Sequence, residues 1–145
     1  MRILFDTNVL FAAFTVRGFC EELLEETIDL CTIIWSAPLR AELVRALRRK
    51  RLFSPSVSGA ITAFTDLCEM CDPVQLPSLL RQSSRGYGGR KRICRDPDDD
   101  VVFANAVTGR ADLIVTGDDD LLVLKTFQRI RILSPRQVLE ILHSK

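Results

Sequence analysis

The stretch Met1-Arg2-Ile3-Leu4-Phe5-Asp6-Thr7-Asn8 decides how the chain reads. Ile3-Leu4-Phe5 is a short continuous apolar run, the pattern of a parallel strand covered on both faces. It stops at the carboxylate of Asp6, where Thr7 or Asn8 can cap a following helix. The same grammar returns in Leu113-Ile114-Val115-Thr116-Gly117-Asp118: an apolar run, a hydroxyl, then a carboxylate.

Between these two strands the periods alternate. Residues 18–30 have helical spacing, with Phe19, Leu23, Leu24 and Ile28 inward and Glu21, Glu22, Glu25 and Glu26 outward. Thr32-Ile33-Ile34-Trp35-Ser36 is rich in β-branched residues and reads as a strand. Ser36-Ala37-Pro38 opens a helix, with proline in the first turn where its missing N–H costs little. Leu39, Leu43, Ala46 and Leu47 form its inner side. Ser54-Pro55-Ser56 starts another helix, carrying Val57, Ile61, Phe64, Leu67 and Cys68, and Pro73–Leu76 is a candidate third strand. Residues 98–107 read as a helix and Ile130–Leu133 as a last strand, and Ser134-Pro135 opens the final helix. Strands alternating with helices imply an α/β three-layer sandwich around a mostly parallel sheet. Ligands of such sheets bind beyond the carboxyl ends of the strands.

With 145 residues, 47 % of them apolar, the chain is expected to form a single domain over residues 1–145 with a sizeable core. No apolar run approaches the roughly 20 residues of a membrane span, and the first residues are expected to form a strand rather than a signal peptide. The expected location is the cytoplasm. The 5 cysteines are an odd set scattered through apolar segments, which speaks against a disulfide framework. Cys68 and Cys71 have CxxC spacing, but no second pair follows to complete a zinc site.

The net charge of +1 conceals local asymmetry. Arg81 to Arg95 holds 6 basic residues and no acidic one, and Asp96 to Asp100 then carries 4 aspartates. With its glycines and serines, the stretch 77–95 is expected to be a flexible basic loop. A second basic run spans Arg45 to Arg51.

Asp6 and Asp118 both lie just past strand ends, so adjacent parallel strands would bring them out on one edge. Asp100 falls in the first turn of the 98–107 helix. Glu42, the one acid on the Leu39–Leu47 helix, borders its apolar stripe. Taken singly, each aspartate is explained as a helix cap and Glu42 as a surface acid. Together they form an acidic centre whose mutual repulsion a divalent cation would relieve. Oxygen ligands of this kind suit Mg²⁺ or Mn²⁺. The single histidine, His143, excludes a two-histidine ribonuclease mechanism. Phosphodiester cleavage by this chain would therefore use metal.

Four pieces of the sequence together resemble a PIN domain. They are Phe5-Asp6-Thr7-Asn8-Val9-Leu10, Glu42-Leu43-Val44, Asp96-Pro97-Asp98-Asp99-Asp100-Val101-Val102-Phe103-Ala104, and Ile114-Val115-Thr116-Gly117-Asp118-Asp119-Asp120-Leu121-Leu122. The forms Asp-Pro-Asp-Asp-Asp and Thr-Gly-Asp-x-Asp-Leu-Leu are similar to a subgroup of prokaryotic toxin–antitoxin toxins related to VapC. The resemblance implies a parallel sheet of four or five strands and Mg²⁺- or Mn²⁺-dependent endoribonuclease activity. Asp6, Glu42, Asp100 and Asp118 would be the catalytic tetrad, with Asp6, Asp100, Asp118 and Asp120 on the metal. It further implies that Asn8 orients Asp6 by a hydrogen bond and that Thr116 positions Asp118 or touches phosphate. Asp98 and Asp99 leave the register of the third acid open, Asp100 being preferred for its spacing to Ala104 and Val107. Expected partners are RNA, held in part by Arg90, Lys91 and Arg92, a cognate antitoxin, and a second copy in a homodimer. The run from Arg45 either helps hold substrate or complements a helix dipole.

Two other functions compete. A non-catalytic PIN-like module would bind RNA or protein without needing four converging carboxylates. A haloacid-dehalogenase-type phosphatase would need a second aspartate two residues after Asp6, where this chain has Asn8.

Overall fold

A computed structural model describes residues 1–16, 18–49, 55–75 and 97–144, and the side chains of 55–58 and 97–100 lie outside that description. The expected flexible loop 77–95, with Arg90, Lys91 and Arg92, falls outside the described residues.

The sheet contains β1 (Arg2–Phe5), β2 (Thr32–Ser36), β3 (Asp72–Val74), β4 (Leu113–Val115), β5 (Thr126–Phe127) and β6 (Ile130–Leu133), in the order β3-β2-β1-β4-β6-β5. Every neighbouring pair is parallel except the β5–β6 hairpin. Among the described residues there are six strands rather than four or five, because β5 is a two-residue antiparallel appendage. It is bracketed by Lys125 and Gln128 at positive φ, and Phe127 packs on Phe103 with ring centroids 4.4 Å apart. The helices are α1 (Thr7–Thr15), α2 (Phe19–Leu30), α3 (Ala37–Arg49), α4 (Pro55–Met70), α5 (Pro97–Thr108), α6 (Asp119–Leu122) and α7 (Pro135–His143).

Strand residues alternate between two apolar layers. Ile3, Phe5, Ile33, Leu113 and Val115 join one cluster with Val9 of α1, Leu23 of α2, Leu43 of α3, Phe64 of α4 and Val138 of α7. Leu4, Ile34, Ile114 and Ile132 join the other with Val102, Phe103 and Ala106 of α5 and Leu121 of α6. This double coverage explains why the strands are continuous apolar runs. Truncating a fully buried member such as Leu43 would cost about 2–5 kcal/mol. The same packing requires a glycine at position 109. A Cβ there would stand 2.6 Å from Ile34 Cδ1 and 2.8 Å from Val74 Cγ2.

α1 departs from the reading of the sequence, in which helical spacing began only near residue 18. Asp6, rather than Thr7 or Asn8, caps α1: its side chain accepts the Thr7 N–H. α7 begins with a full capping box, Ser134 and Gln137 exchanging side-chain and backbone hydrogen bonds.

Candidate metal centre at the carboxyl edge

From β1 the chain continues to β2 on one side, while β4 lies on the other. The carboxyl ends of β1 and β4 therefore flank a topological switch point, where parallel sheets form a ligand crevice. Phe5 is in register with Val115, so the next residues, Asp6 and Thr116, emerge side by side. The Asp6 N–H donates to Val115 O at 2.9 Å and extends the ladder to this level. Leu4 pairs with Ile34, which puts the buried Ser36 at the level of Asp6. Polar groups thus cross the apolar sheet along one line.

Asp6 is 8 % exposed. Its Oδ1 accepts the Thr7 N–H at 2.7 Å and its Oδ2 accepts the Thr116 hydroxyl at 2.7 Å. The same Thr116 oxygen accepts the Asp118 N–H at 3.1 Å, and Thr116 is fully buried. One hydroxyl therefore ties both acidic positions together. Asp118 caps α6, its Oδ1 accepting the Asp120 N–H at 2.9 Å.

Burial pushes the Asp6 carboxyl above its ordinary value of 3.8, the hydrogen bonds from Thr116 and Thr7 oppose that, and the charge of Asp118 raises it further. The neighbouring negative charge thus disfavours ionisation of Asp6. A divalent cation reverses the sign of that interaction, and each ionised carboxylate oxygen that accepts one hydrogen bond keeps a lone pair for a ligand bond. The buried Thr7 hydroxyl, one residue from Asp6, has no partner among the described residues. The donor set, all hard oxygen, fits a cation of the Mg²⁺ or Mn²⁺ type.

The remaining candidates fall as follows. Glu42 is half-buried on α3 and lines a cleft of about 350 Å³ whose opposite wall includes Val101 of α5. Asp100, the residue before Val101, is in the first turn of α5, and its side chain lies outside the described residues. Asp120 is exposed and meets Asp118 through its backbone. Asn8 does not orient Asp6 as expected. It is exposed, and its side-chain oxygen accepts the Val9 N–H at 3.1 Å, because the helix turns it outward while Thr116, just past β4, holds Asp6.

A family model described as the PIN domain matches residues 2–120. This chain belongs to the PIN-domain family. Among solved structures, a chain in the crystal structure of VapBC2 from Rickettsia felis, bound to a DNA fragment from its promoter, shares the fold of this PIN domain. The TM-score is 0.60 at 15 % identity, over 92 % of this chain and 98 % of that one. No curated relative matches the chain by sequence. Among the described residues, no helix is long and apolar enough to cross a membrane.

Among the described residues, two further groups of ligand-type side chains lie outside the centre. Glu22 and Glu26, one turn apart on α2, and His143 of α7 place their ligand atoms within 4.8 Å of one another. Cys68 and Cys71 are free thiols, and burial pushes them up to about 11 and about 12.

Proposed function

We propose that this PIN domain is a Mg²⁺- or Mn²⁺-dependent endoribonuclease and the toxin of a toxin–antitoxin pair. The observation that carries the reading is the buried Asp6–Thr116–Asp118 connection at the switch point of the sheet. Asp6, Asp118 and Asp100 would hold the cation, with Asp120 at its margin and Glu42 as the fourth acid. A bound divalent cation lowers the pKa of a coordinated water and offsets charge on a phosphoryl oxygen. The protein's part is positional: Thr116 fixes Asp6, and the α6 cap fixes Asp118. Glu42 would be the acid that takes a proton from an incoming water. The VapBC likeness supports an antitoxin as partner, and the cytoplasm as the place of action.

The test is cleavage of a mixed RNA panel by purified protein with Mn²⁺, with EDTA, and after Asp6→Asn. Metal-dependent cutting lost in the variant is expected. Absence of cutting by folded, metal-loaded, antitoxin-free protein would transfer the reading to a non-catalytic binding module.

A further inference from the structure

We infer that Arg45 and Arg49 of α3 form a phosphate-binding rail that leads an RNA strand along the α3–α5 cleft to the acidic centre. The inference rests on the nuclease reading and names the residues that deliver its substrate.

The helix has two adjacent faces with different tasks. Leu39, Leu43 and Leu47, spaced by four, are buried. Pro38, Glu42, Arg45, Ala46 and Arg49 line the cleft of about 350 Å³, with Val101 of α5 opposite. One side of α3 is thus fixed to the core, which gives the neighbouring side a defined direction. Glu42 stands toward the amino end of the cleft, which Val101, the residue that follows Asp100 in the chain, also lines. The two arginines continue from Glu42 toward the carboxyl end of α3. Four residues separate them, a rise of about 6 Å at roughly 1.5 Å per residue, so their guanidinium groups can meet neighbouring phosphates of one strand.

The chemistry requires such a rail. The carboxylates of Asp6 and Asp118, tied through Thr116, repel a polyanion until a cation is bound, and one cation does not neutralise the phosphates on either side of the cleaved bond. Arginine matches phosphate with two parallel hydrogen bonds. Both arginines are exposed, and neither belongs to the ion pairs Arg2–Asp72 and Glu26–His143 found among the described residues. Complementing the helix dipole would account for Arg48 and Arg49, the basic residues of the last turn. It does not account for Arg45, one turn earlier and on the cleft face.

The experiment measures binding of a short unstructured RNA to protein carrying Asp6→Asn, which keeps the probe intact, over a series of salt concentrations. Arg45→Ala and Arg49→Ala are each expected to weaken binding on the order of threefold and to reduce the slope of log K against log salt by about 0.7. Arg45→Lys and Arg49→Lys should retain most of the slope. Arg129→Ala, in the β5–β6 turn, is the charge-matched control and should change neither quantity. The inference is overturned if the alanine variants bind with unchanged affinity and slope. It is equally overturned if lysine and alanine variants lose affinity alike at constant slope, the mark of a structural role. Cleavage by the parent protein with Mn²⁺, measured in parallel, separates the two readings. Cutting with indifferent arginines removes the rail alone, and arginine-dependent binding without cutting removes the nuclease alone.

Discussion

The Thr116 hydroxyl donates to Oδ2 of Asp6 at 2.7 Å across two parallel strands while its oxygen accepts the Asp118 N–H. The contact depends on the Phe5–Val115 register. A slip of one residue would turn Thr116 to the other face of the sheet and leave Asp6 buried without its side-chain donor. The fold and the acidic centre are specified by the same pairing.

Thr116→Val keeps the shape of the side chain and deletes the hydroxyl. Asp6 Oδ2 and the Asp118 N–H each lose a partner, at an expected cost of about 1–3 kcal/mol in folding. The Thr116 bond lowers the Asp6 carboxyl, so its loss should also move the acid limb of metal-dependent cleavage to higher pH. Thr116→Ser should restore both. A valine variant with unchanged stability and pH profile would show that the hydroxyl does not tune Asp6.

His143 supplies a pH signature away from the centre. Its Nε2 lies 2.8 Å from Glu26 Oε1, and that hydrogen bond, then the Glu26 charge, raises its pKa above the ordinary 6.5, with Glu22 adding a smaller push. The folded state holds the proton more tightly than the unfolded state. The contribution is therefore complete below 6.5 and lost as pH rises through the raised value. His143→Ala should lower Tm below that pH and have no effect in mildly alkaline buffer. Because the ring is exposed, the gap should be small and shrink with salt. A Tm difference independent of pH would assign His143 a packing role instead.

Much of this was legible because parallel strands announce themselves. Leu113–Val115 and Ile130–Leu133 stand where their apolar runs put them, and Asp6 and Asp118 follow from strand ends alone. Three features were not. α1 was hidden because Val9, Leu10, Phe11, Ala12, Ala13 and Phe14 form an almost unbroken apolar run without a polar face. β5 spans two residues and owes its place to the Phe103–Phe127 contact, which no local pattern records. The assignment of Asn8 to Asp6 failed because the partner, Thr116, came from the residue after β4, 110 residues away.

The third acid is undecided by periodicity for a physical reason. Val102, Phe103, Ala104, Asn105 and Ala106 are all buried, so α5 has no polar side at its centre to mark a register for Asp98, Asp99 and Asp100. Asp100 is four residues before Ala104, and Asp99 is four before Phe103. Asp100→Asn is expected to abolish metal-dependent cleavage, by more than about a hundredfold if a metal ligand is lost, while Asp99→Asn stays within a few-fold. Kinetics on the two variants decide it, and the opposite ranking would shift the centre by one residue.

Asp6→Asn separates the needs of the metal from those of the fold. Burial and the Asp118 charge raise the Asp6 carboxyl above 3.8. Between 3.8 and the raised value the folded state therefore binds more protons than the unfolded state, and stability falls as pH rises across that window. At neutral pH the ionised carboxylate is a standing cost to the metal-free protein. Asparagine removes the charge and can still accept the Thr7 N–H, so the variant should melt higher than the wild type in EDTA, by on the order of 1 kcal/mol. The gain should fade as pH drops toward 3.8. Mn²⁺ should invert the ranking: at 100 times Kd a ligand adds about 2.7 kcal/mol, available to the wild type and largely denied to the variant. Thermal melts with EDTA and with Mn²⁺ check both halves. If the variant melts lower in EDTA, burial of the charge is not what limits stability here. If Mn²⁺ stabilises both proteins equally, the cation binds without Asp6.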